Sequence, residues 1–149
     1  KHQNEKMNII QKLKDNIEVA TGLPFLYGSR GEINRVLDSA PLPCAFAYLL
    51  ETTGVQDING VCHERLTMAV FFIDKTQFDF NAIENEDIID RCKRTAFKWY
   101  VSNRLSEHFR FISINNTLRV YDELADAIVT GYALNVTIEE IEGISICSK

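Results

Sequence analysis

The stretch Cys44-Ala45-Phe46-Ala47-Tyr48-Leu49-Leu50-Glu51-Thr52-Thr53-Gly54-Val55-Gln56-Asp57-Ile58-Asn59-Gly60-Val61-Cys62-His63-Glu64-Arg65-Leu66-Thr67-Met68-Ala69-Val70-Phe71-Phe72-Ile73 decides the fold. Its first part alternates Cys44, Phe46, Tyr48 and Leu50 with Ala45, Ala47 and Leu49. Its last part places Leu66, Met68, Val70 and Phe72 on one side, the period-two signature of strands. Asn59-Gly60 between them suits a type I′ turn, whose two central residues both need positive φ. With that turn, Phe46 is expected to face Ile73, Tyr48 to face Phe71 and Leu49 to face Val70. Small Ala45 and Ala47 suit a sheet face covered by a helix. The polar outer portion, residues 52–67, reads as a hairpin arm projecting past the core, with Gly54 a candidate bulge.

Outward from the hairpin, residues 4–21 read as a helix, because Ile10, Leu13, Ile17 and Ala20 recur at three- and four-residue spacing. Gly22 followed by Pro24 stops it. Residues 24–27 form a candidate short strand. Ser29-Arg30-Gly31-Glu32 has capping-box spacing, so a second short helix is expected to about Asp38. Pro41 and Pro43 then force an extended approach to the hairpin. On the far side, residues 86–108 read as the longest helix. Asn85 is its expected cap, and Ile88, Ile89, Cys92, Ala96, Trp99 and Tyr100 make its core stripe. Residues 110–114 and 118–121 read as short extended pieces around a turn at Asn115-Asn116. A long half-buried strand is expected over 130–141, with Tyr132, Leu134, Val136 and Ile138 inward, and then a tail or short edge strand. The expectation is one α+β domain over residues 1–149. It holds an antiparallel sheet of about four strands with a long projecting hairpin and helices packed on one face. Residues 1–6 are expected to be disordered or an addition to the native chain.

Composition narrows the function classes. The chain has 149 residues, 46% of them hydrophobic, enough for an independent core without metal or disulfides. A net charge of −5 argues against general nucleic-acid affinity and against an anionic membrane surface. No apolar run reaches the roughly 18 residues that span a bilayer. Cys44, Cys62, Cys92 and Cys147 form no paired spacing and sit in apolar stretches, which favours buried, reduced thiols and an intracellular setting.

Few residues suggest catalysis. Cys62 and His63 are adjacent in a strand and point to opposite faces, so they do not share a metal easily. Gly28-Ser29-Arg30-Gly31 lacks the spacing of a phosphate-binding loop and reads as a turn with a helix cap. Asp122, Glu123 and Asp126, and Glu139, Glu140 and Glu142, read as solvated acidic faces. Arg91, Lys93, Arg94, Lys98 and Arg104 spread around the long helix rather than forming one patch. No cofactor or metal is expected.

The bland reading accounts less well for Phe97, Val101 and Leu105. They repeat every four residues on the side of the long helix roughly opposite its core stripe, where water is expected. They are either covered by the first helix or part of a subunit contact. Together with Val55, Gln56, Asp57 and Ile58 at the hairpin tip, they are the candidate interface residues.

The element order carries a resemblance. A helix leads through Pro41-Leu42-Pro43-Cys44-Ala45-Phe46-Ala47-Tyr48 to a long hairpin ending in Val70-Phe71-Phe72. A long helix follows, then Arg119-Val120-Tyr121-Asp122-Glu123 and Gly131-Tyr132-Ala133-Leu134-Asn135-Val136-Thr137-Ile138. From about Met7 onward this resembles the tail terminator and minor tail (neck) proteins of long-tailed phages and prophages. The resemblance implies a ring-forming homo-oligomer, commonly a hexamer. Such a ring caps the tail tube and meets other tail or neck proteins, in the virion or host cytoplasm. It implies no catalytic residue. The alternative is a small ligand-binding domain or enzyme with a pocket between sheet and helices, drawing on Asp122, Glu123 and His63.

Overall fold

The turn at Asn59-Gly60 forms as its chemistry dictates, with φ of 55° at Asn59 and 84° at Gly60. Asp57 Oδ1 accepts the Gly60 N–H at 3.0 Å and closes it. It joins β2 (Cys44–Ile58) to β3 (Val61–Lys75), each 15 residues long, in a computed structural model that describes residues 8–28, 41–76, 82–103, 107–120, 123–124 and 127–145. From the turn outward the register runs Ile58–Val61 to Thr53–Leu66. It then shifts between Leu49 and Thr53. The expected core pairs are corrected accordingly. Phe46 faces Phe71, Tyr48 faces Ala69 and Leu49 faces Met68. The shift is even, so each side chain keeps its face, and only an odd slip would have turned the core outward.

Five further pairings complete the sheet among the described residues. β1 (Phe25–Tyr27) joins β2 in parallel, and β6 (Ala127–Glu140) joins β3 antiparallel. β4 (Phe109–Val120) lies outside β6, also antiparallel, giving the order β1-β2-β3-β6-β4. Two-residue strands β5 (Glu123–Leu124) and β7 (Ile144–Ser145) pair with β6 and β3. The expected antiparallel sheet of about four strands is therefore corrected. The described residues hold seven strands in a mixed sheet. β1 and β7 fall within the candidate short strand at 24–27 and the tail, but β1 joins in parallel, and β5, two residues long, is too short to show a period. Residues 110–121 were also expected as two pieces. Up to Val120 they form one strand because Ile112 and Asn115 bulge out of the ladder, so the Asn pair bends the strand instead of reversing it.

Gly131 sits opposite Ile73, where a Cβ would strike the Phe72 carbonyl oxygen and Ile73 Cα. That close approach is what a strand glycine permits.

α1 (Ile9–Thr21) begins at a reciprocal cap. Asn8 Oδ1 accepts the Gln11 N–H at 2.9 Å, and Gln11 Oε1 accepts the Asn8 N–H at 3.1 Å. It ends at Gly22, left-handed at φ 75°, as the sequence indicated. α2 (Ala82–Ser102) starts before the expected cap, so Asn85 lies within its first turn, and it ends well short of His108. The expected short helix after Ser29, and residues 1–6, lie outside the described residues.

Both helices pack on one face of the sheet. Leu13, Ile17, Ile88, Ile89, Ala96 and Trp99 meet Ala45, Ala47, Met68, Val70, Phe72 and Leu134 there. Trp99 donates its indole N–H to Asn16 Oδ1 at 2.8 Å and so ties the helices together. The face of the sheet opposite α1 and α2 is divided. Phe46, Phe71, Ile73, Val120 and Ala133 make a second buried cluster at one end. At the other end Glu139 lies between Arg65 (2.7 Å) and Arg110 (2.6 Å). Next to it, Thr67 bonds Thr137 and Asn135 bonds Asn116.

Candidate interaction surfaces

On α2, Phe97 and Val101 are 44% and 54% exposed, and Leu105 lies outside the described residues. α1 therefore does not cover the first two. Nor do they point straight away from the sheet. Phe97 stands edge-on to Tyr132 at 5.7 Å, while its neighbour Tyr100 packs on Phe111 at 4.9 Å. The apolar strip thus occupies the flank of α2 that overhangs β4. Arg119 of β4 pairs with Glu86 on the same side.

β4 itself is the surface that the sequence reading missed. Among the described residues it is an outermost strand of 12 residues, and all of 112–119 is exposed, including Ile112, Ile114 and Leu118. The signal was available: residues 111–118 hold three aliphatic residues and no proline, lysine or acid. Natural edges usually carry such blocking residues. The apparent turn at Asn115-Asn116 concealed a continuous edge.

The hairpin tip also shows apolar groups. Val55 is 66% exposed and Ile58 45%, with Asp57 exposed and Gln56 half-buried. The tip is not a bare arm, since β7 pairs with Val61 and Cys62 and sets exposed Ile144 beside it. Val55, Cys62, Glu64, Glu140 and Ile144 surround a shallow hollow of about 270 Å³. There Glu140 titrates above its ordinary value, mainly through burial and then through the charge of Glu64. His63 points to the other face, its Nδ1 3.1 Å from the Glu140 carbonyl oxygen. Among the described residues no group of three or more His, Cys, Asp or Glu could hold a metal.

A larger groove, about 580 Å³, lies between α1 and the end of α2, lined by Lys12, Asp15, Asn16, Lys98, Asn103 and His108 among others. Asn103 is buried, gives its amide to the Trp99 carbonyl at 2.9 Å, and leaves Oδ1 without a partner among the described residues. This hollow lies between the helices rather than between sheet and helices. His63 does not line it, and Asp122 and the side chain of Glu123 lie outside the described residues.

Two other sequence readings find their places. Cys44 and Cys92 are buried free thiols, pushed up to about 12 and about 11 by burial, and Cys62 is free and half-buried. Arg91 pairs with Asp74, and Lys93 and Arg94 pair with Asp90, so the basic residues of α2 are largely neutralised in place. No described helix is long and apolar enough to cross a membrane. Neither a protein-family model nor a curated protein matches the chain.

Proposed function

We propose that the chain is a non-catalytic structural subunit that acts by assembling with copies of itself in a ring. This is the role implied by its resemblance to tail terminator and neck proteins of long-tailed phages. One observation carries the reading: the β4 edge and the Phe97/Val101 flank of α2 lie on one side and leave aliphatic and aromatic groups in water. Exposed apolar surface that continues from a helix flank onto an open strand edge marks a site for another protein. The hairpin tip supplies a second contact elsewhere on the molecule, and two unlike contacts generate head-to-tail rings. Native mass spectrometry tests this. A ring should appear as one dominant multiple of the 17.0 kDa chain, and an exclusively monomeric spectrum would count against it.

The groove between α1 and α2 favours a second reading, a site for a small polar ligand. Its buried Asn103 Oδ1 and the amines of Lys12 and Lys98 could meet such a molecule. A strictly monomeric protein stabilised against heat by a small carboxylate or phosphate would support that reading over assembly.

A further inference from the structure

We infer that the subunits join by strand pairing, with β4 of one copy running antiparallel to the distal part of β2 in the next. This rests on the assembly reading and specifies its chemistry. β1 covers β2 only at Ala45, Phe46 and Ala47. From Tyr48 to Ile58 the outer side of β2 has no strand partner among the described residues, a length comparable to the 12 residues of β4. The two open edges thus lie at opposite sides of one sheet.

Their directions fit. β2, β3, β6 and β4 are successively antiparallel, so β4 runs opposite to β2. A copy rotated about an axis along the strands therefore offers an up-running strand to a down-running one. Pairing continues antiparallel, with α1 and α2 of each copy on the same side. The charges fit as well. β4 carries Arg110 and Arg119 and no acidic residue, whereas β2 exposes Asp57 and contains no basic residue. Two β4 edges paired with each other would bring arginine towards arginine, which disfavours a face-to-face dimer and favours head-to-tail contact. A copy docked on β4 would also cover Phe97 and Val101 overhanging that edge. The bulges at Ile112 and Asn115 interrupt the ladder and limit indiscriminate stacking.

The test uses two full-length variants at exposed positions on the same face of the sheet, Ile114→Glu on β4 and Val55→Lys on β2. Each alone should weaken assembly by roughly tenfold or more, since each sets like charges across the junction. Mixed one to one they should assemble again, because the carboxylate introduced on β4 then meets the amine introduced on β2, and the other junction is unaltered. Unchanged circular dichroism shows that both remain folded. If the wild type assembles but Val55→Lys does so equally well, or the mixture stays at 17.0 kDa, strand pairing between these edges is overturned while assembly stands. A wild type that never assembles overturns both.

Discussion

Glu139 and Glu140 are neighbours in β6 with opposite electrostatic fates, because successive strand residues face opposite ways. Burial alone would raise Glu139, but the guanidiniums of Arg65 and Arg110 outweigh it and hold the carboxyl below the ordinary 4.5. Its side chain is inaccessible because the two half-exposed arginines cover it. Its contribution to stability is therefore complete above pH 4.5 and is lost as pH falls through the depressed folded value. Glu139→Gln should cost about 2 kcal/mol at neutral pH in a urea melt, the scale of a hydrogen bond to a charged group. The variant should also lose part of the acid sensitivity. Glu140 is raised by burial, Glu64 and Glu142, against Lys12 and His63. Ionising it costs stability above its raised folded value, and that cost disappears below 4.5. Glu140→Gln should therefore leave the protein equally or more stable at neutral pH, and a clear loss in the same melt would contradict this account. Nothing in the sequence distinguished these residues, since both sat in one acidic run. Only the cross-strand partners Arg65 and Arg110 separate them.

At the scale of elements, legibility followed the length of the signal. The hairpin turn was readable because two adjacent residues must both adopt positive φ. Gly60→Ala should lower stability by about 1 kcal/mol, measured by chemical denaturation, since φ 84° disfavours a Cβ. α1 was readable from its apolar spacing and from Gly22, although its start moved to Asn8, where side-chain capping fixes it. The core register was not readable. No residue type between Leu49 and Thr53 announces two extra residues in β2, and the turn sets pairing only as far as that irregularity. β4 was misread because Asn-Asn signals a turn and a bulge alike, and only pairing with β6 decides between them. The same neighbour effect placed Phe97. On the helical wheel it opposed the core stripe, yet Tyr132 rises beside it from β6. Because Phe97 is half exposed, Phe97→Glu should leave the melting temperature of the monomer within a few degrees of wild type.

For the whole molecule, the proposed assembly would use surfaces at the two sides of the sheet. The interior offers packed helices and buried thiols, and a groove lies between α1 and the end of α2. The candidate interface read from the sequence combined the flank of α2 with the hairpin tip. Phe97, Val101, Val55 and Ile58 are exposed, but β4, which links the first two to a continuous edge, was absent from it. Surfaces of this kind escape sequence reading because exposure depends on which strand ends up outermost, a property of the complete sheet.

Sedimentation velocity of the wild type and of Phe97→Glu, from about 1 μM to about 100 μM, tests the central claim most directly, because micromolar contacts reveal themselves over that span. The account predicts that the wild type converges on a defined multiple of 17.0 kDa, while Phe97→Glu remains at 17.0 kDa with unchanged circular dichroism. A wild type that sediments as a 17.0 kDa monomer at every concentration would contradict it.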